Sequence, residues 1–301
     1  MRFDPSDTDR EERTAPGFLR YVLSLAADPK GSDQLLADRE LLSRYQRTIY
    51  VRKCLTHAIQ NDEIEMYLQP LVRAKDGSLA GCEALERLRD SEGKLMGPDE
   101  FIPVAESNGM IADLGEQMFR KACAFMSNAT VQESSLQWIN VNLSPLQCVD
   151  ASLADTYIGI YRAYHLQAGS VVLEVTEQSL TDSSVLHRQM VRLKEVGIPF
   201  VLDDFGSMSS NLERLKDNPF IGVKLDKEMV WSYMKSPDTI VPHAILACHE
   251  MGLRVTAEGI ENEEMASVFR DLQCDHFQGY LYSKPIPEEA FMEKYCGKKE
   301  R

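Results

Sequence analysis

VLDDFGSMSS (residues 201–210) carries an apolar pair, Val201 and Leu202, straight into two adjacent aspartates, then Phe205 and Gly206. The apolar pair reads as the end of a buried strand. Neighbouring carboxylates repel each other, so this strand end requires either water or bound positive charge. In a continuing strand Asp203 and Asp204 would point to opposite faces. Both reach one site only if the strand ends there and the backbone turns, which Gly206 permits.

The same construction recurs along the chain. Short β-type runs are predicted at Met66–Val72, Leu79–Leu85, Leu136–Leu143, Val171–Glu177, Pro199–Asp203, Ile221–Leu225, Leu253–Glu258 and Asp275–Gly279. Amphipathic helices separate most of them. One begins at Pro98 with Asp99 and Glu100 and closes at Gly109; Ser183–Val196 stops at Gly197 and Pro237–Met251 at Gly252. Eight strands alternating with helices predict an α/β fold, a modified (β/α)8 barrel of the TIM type. An open doubly wound sheet competes, but no G-x-G-x-x-G follows the first strand. RAKDGS (residues 73–78) joins the first two strands with Asp-Gly hairpin chemistry, so one strand is expected to run antiparallel to the rest.

The 301 residues accommodate one such domain plus an appendage. Residues 1–16 read as disordered, 17–61 as a helical or linker segment, 62–297 as the barrel and 298–301 as a charged tail. Within 32–60, Leu35, Leu42 and Ile49 recur every seven residues, with Leu41, Tyr45, Leu55 and Ile59 near the same face. A signalling or dimer helix and a helix packed on its own domain both fit. The net charge of −14 disfavours DNA and anionic membranes as partners but not a small anionic ligand. No apolar run is long enough to span a bilayer and the charged N-terminus lacks a leader's apolar stretch, which points to the cytoplasm. The seven cysteines form no C-x-x-C and read as buried hydrophobes. His243 and His249 lack the i, i+4 spacing of a metal pair.

Most of the later strands place a polar group near the C-terminal end. Glu83 shares a face with Gly81 and Leu85; Asn140 and Asn142 share one face of their strand. Glu174 is in phase with Thr176, Lys224 opposes Ile221, Val223 and Leu225, and Glu258 and Gln278 end the last two strands. Active sites of such barrels lie at that face. Glu83, Glu174, Asp203, Asp204 and Glu258 around a single lysine would repel unless cations lay among them. Oxygen donors with one amide and no His or Cys favour hard cations such as Mg²⁺ or Mn²⁺. Paired ions about 4 Å apart are a device for phosphodiester hydrolysis.

CEALERL, INVNLS, LEVTE, LDDFG, VKLD, AEGIENEE and FQGYLYSKPIP, in that order over residues 60–295, resemble the motifs of the EAL-domain family of cyclic di-GMP phosphodiesterases. The resemblance implies opening of cyclic di-GMP to linear pGpG with two Mg²⁺ or Mn²⁺ ions per site. Glu83, Asn142, Glu174 and Asp203 would hold the first ion, Asp203 would bridge, and Asp204 would help hold the second. Lys224 and Glu258, with Asp204, would carry catalysis by positioning or deprotonating the attacking water. Arg87 would contact a substrate phosphate, with Leu85, Gln69 and Gln278 also on the substrate side. Glu177 and Glu261 match acids that brace the site. The resemblance further implies a homodimer and an upstream sensory or signalling domain or protein.

The chain departs from the family in two places. Met208 and Ser209 replace a glycine and a tyrosine in the loop after the aspartate pair, and Glu86 and Leu88 stand where an apolar residue and a tryptophan are usual, so that Leu88 would stack less well on a guanine. The altered loop Ser207–Asn211 keeps a second reading open: a weakly active or inactive cyclic di-GMP sensor or protein-docking module.

Overall fold

A computed structural model describes residues 39–176, 183–206 and 212–297. The chain divides into two compact units, one running to Glu65 together with Arg87–Leu114, the other comprising Met66–Glu86 and the chain from Gly115 onward.

In the first unit the helix Arg39–Gln60 is described. Val51, Cys54, Leu55 and Ala58 recur at three- and four-residue spacing and are buried, while Ile49 and Ile59 are only half-buried. The buried face is therefore centred away from the heptad positions, and it favours a helix packed on its own chain. Leu35 lies outside the described residues. Arg47 pairs with Glu100 at 2.5 Å and Arg89 with Glu65. Pro98 opens the helix Pro98–Ser107, with Asp99 and Glu100 in its first turn, and Gly109 follows in the left-handed region at φ 71°.

In the second unit all eight expected strands form. They are β1 (Glu65–Arg73), β2 (Leu79–Arg89), β4 (Trp138–Asn142), β5 (Val171–Thr176), β6 (Phe200–Phe205), β7 (Phe220–Leu225), β8 (Arg254–Ala257) and β9 (His276–Phe277), β1 reaching into the first unit by Glu65 and β2 by Arg87–Arg89. The order β1-β9-β8-β7-β6-β5-β4-β2 closes on itself through a β1–β2 pairing. From β2 to β9 the neighbours are parallel, whereas β1 meets β9 antiparallel, as the Asp-Gly turn predicts. Two short strands escaped the sequence reading. β3 (Leu95–Met96) extends β2 in the first unit, and β10 (Ile286–Pro287) pairs with β1.

Strand alternation sorts the side chains. Ile139, Val141, Leu173, Val175, Val223, Leu225 and Val255 are almost fully buried on the phase that faces the outer helices. Those helices include Leu153–Ala163, Ser183–Glu195, Lys227–Lys235, Ile240–Glu250 and Glu263–Asp271. The helix expected over Pro237–Met251 begins only at Ile240. Asp238 Oδ1 accepts from the backbone N–H groups of Ile240 and Val241, at 2.8 and 3.2 Å, and starts the helix after Pro237. All seven cysteines are buried and free. Among the described residues no helix is long and apolar enough to cross a membrane.

At the end of β9 the backbone passes so close to Ile260 that a Cβ on Gly279 would lie 2.0 Å from its carbonyl oxygen. The Ile260 N–H donates to Gln278 O at 3.1 Å across the same junction. Gly279→Ala is expected to force these strand ends apart, lowering stability in urea unfolding by about 1–3 kcal/mol, the usual range for overpacking. An unchanged midpoint would contradict this close approach.

Candidate active site

The C-terminal strand ends converge on Lys224, whose ammonium group is buried in the barrel mouth. Its Nζ lies 3.1 Å from Glu83 Oε2, 3.0 Å from Glu174 Oε2, 3.3 Å from Asp203 Oδ1 and 2.6 Å from Glu258 Oε1. The staggered register of the barrel brings these strand ends together. Glu83 pairs with Asn140 across β2–β4, Asn142 with Glu174 across β4–β5, and Lys224 with Thr256 across β7–β8.

Amides fix the carboxylates that the lysine leaves half-satisfied. Asn142 Nδ2 donates to Glu83 Oε1 at 2.8 Å, and Asn140 Nδ2 to Glu174 Oε1 at 2.5 Å. Gln278 Nε2 donates to Glu83 Oε2 at 2.6 Å and to Gln69 Oε1 at 3.1 Å, and Gln69 Nε2 reaches Ser283 O at 3.1 Å.

The aspartate pair reaches the mouth by a different route from the one the sequence suggests. β6 does not stop at Asp203; it continues to Phe205, with a register irregularity against β7 between Leu202 and Phe205. Asp204 itself enters the left-handed region at φ 54°, and Gly206 follows at φ 100°. Aspartate tolerates that conformation better than most residues. This bulge breaks the alternation of faces, so that oxygens of Asp203, Asp204 and Glu258 all lie within 4.8 Å of one another.

Electrostatics follow from burial. Burial pushes Glu174 well above its ordinary value, the charge of Glu83 adding to it against Lys224. Burial raises Asp203 too, against Lys224. Asp204 is raised to about 6 by burial and by Asp203. Glu258 is raised to about 8, again chiefly by burial. Glu83 is lowered, because Lys224, Gln278 and Asn142 outweigh its burial. Lys224 stays well above its ordinary value, since four carboxylates overcome the penalty of burial.

The oxygens fit a cation. Gln278 Oε1 is buried and accepts no hydrogen bond among the described residues, and buried Asp203 Oδ1 has only the Lys224 ammonium, at 3.3 Å. Three carboxylates offering oxygens at mutual reach, with no nitrogen or sulfur donor among them, form an acidic cluster suited to a hard metal ion.

Every sequence-predicted residue of the second unit that is described lies at this mouth. Gln69, Leu85 and Glu261 line a cleft of about 290 Å³ together with Glu83, Asp203, Lys224, Glu258 and Gln278. Arg87 lies four residues beyond Glu83 on β2, half-buried, within the first unit. Leu88 is fully buried, so it offers no free face to a base. Glu177 and the loop Ser207–Asn211 fall outside the described residues. The sequence reading missed Asn140 as a support of Glu174, although its phase with Asn142 marks it. It also counted one lysine; Lys227 lines the cleft as well, beside Trp231, whose indole donates to Gly259 O at 2.8 Å.

Closed barrel, antiparallel β1 and a carboxylate mouth bridged by lysine define a (β/α)8-type barrel with a metal-binding end. The EAL domain family profile matches residues 52–285, and the chain belongs to that family. Cyclic di-GMP phosphodiesterase NbdA of Pseudomonas aeruginosa is 32% identical over 260 residues, which cover 85% of this chain and 33% of NbdA. Cyclic di-GMP phosphodiesterase RocR of the same organism is 29% identical over 245 residues, 80% of this chain and 62% of RocR. The solved PaMucR phosphodiesterase in complex with c-di-GMP aligns with a TM-score of 0.75 at 29% identity, covering 80% of this chain and 99% of that one. The chain spans about one third of the length of NbdA and of the signaling protein YkoW of Bacillus subtilis (33% and 30%).

Two outcomes follow from the charge balance. Glu174, Asp203, Asp204 and Glu258 bind protons more tightly in the metal-free fold than in the unfolded chain, where carboxylates titrate near about 4. They therefore remove stability as pH rises from about 4.5 to about 8. Divalent ions displace those protons, so the melting-temperature gain on adding Mn²⁺ should be larger at about pH 8 than at about pH 5.5; an equal or reversed gain would contradict the assignment. Lys224→Met leaves the acids uncompensated and should lower metal-free stability at neutral pH by about 3–5 kcal/mol. Chemical denaturation with and without Mn²⁺ measures this, with partial recovery expected when the ion is present.

Proposed function

We propose that this chain hydrolyses cyclic di-GMP to linear pGpG with two Mg²⁺ or Mn²⁺ ions. The observation that carries this reading is the convergence of Glu83, Asn142, Glu174, Asp203, Asp204, Glu258 and Gln278 around Lys224 at the C-terminal mouth. Two relatives named cyclic di-GMP phosphodiesterases, and a family neighbour solved with c-di-GMP, support the substrate.

In this reading Glu83, Asn142, Glu174 and Asp203 would hold one ion, and Asp203 with Asp204 would help hold the other. When bound, such ions supply Lewis acidity toward a phosphoryl oxygen and lower the pKa of water. Lys224 is held charged by four carboxylates, so it donates hydrogen bonds rather than acting as a base; it orients the attacking water and balances charge at phosphorus. Glu258, 2.6 Å from Lys224, accepts the water proton. The new P–O bond forms from water as the P–O3′ bond breaks, and the 3′ oxygen leaves with a proton. Gln278 and Gln69, linked to each other, and Leu85 form the substrate side of the cleft. Arg87, on the strand that carries Glu83, suits a substrate phosphate. Glu261, exposed at the rim, and Glu177 would brace the site and the loop beyond Asp204. A homodimer and an upstream sensory or signalling domain complete the reading.

Purified protein incubated with cyclic di-GMP and Mg²⁺ or Mn²⁺ should release pGpG, while Glu83→Ala should release none. Lys224→Met should lower turnover by about 10²–10⁴-fold, the range of a lost acid–base or positioning group. It should keep cyclic di-GMP binding by calorimetry in Ca²⁺. Binding without product in the unaltered protein would replace this reading with that of a sensor or docking module.

A further inference from the structure

The opposite end of the barrel holds a second cavity, of about 680 Å³, where the strands begin. Leu71, Val172 and Val201 give it apolar walls, and Asn140, Thr256 and His276 give it polar ones. Trp138 spans part of its rim. A Cβ on Gly81 would lie 2.5 Å from the indole, and the ring meets His276 edge-on with centroids 5.1 Å apart.

Asn140 is the informative residue. It is 2% exposed, and its Nδ2 donates to Glu174 Oε1 at 2.5 Å. Its Oδ1 is left buried with no hydrogen-bond donor among the described residues. Such an orphan acceptor costs about 1–3 kcal/mol, which a ligand donor would recover.

A basic cleft adjoins this cavity and shares Gln137, Arg254 and His276 with it. Arg73, Lys75, Arg254 and Arg270 line the cleft against one acid, Asp275, in a chain of net charge −14. The Asp275 carboxylate is already engaged by His249 Nε2 at 3.0 Å and by the Val255 N–H at 2.7 Å. Arg254 forms no ion pair among the described residues. It opens β8, and Thr256, two residues on, is about 7 Å further into the barrel.

We propose that the N-terminal mouth of the barrel is a second ligand site, for a small organic anion whose acidic group meets Arg254 and whose hydrogen-bond donor meets Asn140 Oδ1. The occupant bears on the metal end, because a donor on Oδ1 polarises the amide and strengthens its bond to Glu174. By linkage, metal binding changes affinity for the anion by the same factor as the anion changes affinity for metal. The site does not depend on the hydrolytic reading, since its occupancy is measured without turnover.

Calorimetric titration of the full chain with 4-hydroxybenzoate tests it, with benzoate, phenol and inorganic phosphate as partial probes. Saturable 4-hydroxybenzoate binding is expected, about tenfold weaker for benzoate, which lacks the donor, and for phenol, which lacks the acid. Arg254→Glu, an exposed change, should weaken binding by at least about tenfold, and Val201→Phe should fill the cavity and abolish it. Absence of saturable binding at millimolar 4-hydroxybenzoate overturns the proposal. So does binding that both variants leave intact, or phosphate binding as tight as 4-hydroxybenzoate, which would reduce the site to an anion cleft.

Discussion

One ammonium group among four carboxylates is the interaction on which this barrel mouth depends. Lys224 touches Glu83, Glu174, Asp203 and Glu258, contributed by four other strands. Each buried carboxylate alone would be driven to take up a proton. Shared around one fixed positive charge, they are held together at the mouth of the barrel. The lysine does not neutralise them all. The excess of negative charge over positive, concentrated where water is largely excluded, is what makes the mouth a place for divalent cations.

The scaffold delivers these groups through two departures from regular strand geometry. The bulge at Asp204 lets consecutive residues serve one site, which a continuous strand forbids. The close crossing of Gly279 over Ile260 brings the end of β9, and with it Gln278, against the segment that follows Glu258. Both are local backbone solutions to a demand set by the ligands, and both lie at strand ends, where a broken ladder sacrifices fewest hydrogen bonds.

Much of this was legible in the sequence because strand alternation and chain order are one-dimensional signals. All eight barrel strands, the antiparallel first strand and the inward phase of Glu83, Asn142, Glu174 and Lys224 follow from spacing alone. What stayed hidden depends on neighbours distant in the chain. Left-handed geometry at Asp204 was assigned to Gly206, because glycine is the usual bearer of positive φ. Lys227 reads as an ordinary first-turn helix residue until the β8 end is brought beside it. The start of the helix at Ile240 depended on the Asp238 carboxylate rather than on Pro237. Asn140 looked like a repeat of Asn142, yet the two amides support different carboxylates, one of each pair of strand neighbours.

The chain's two tryptophans are divided between the ends of the barrel. Trp231 closes over Gly259 beside the carboxylate mouth, and Trp138 lies across Gly81 where the strands begin. Nature has thus placed one intrinsic fluorophore at each end of the same cylinder. Emission from singly substituted proteins would separate events at the two ends without any attached dye.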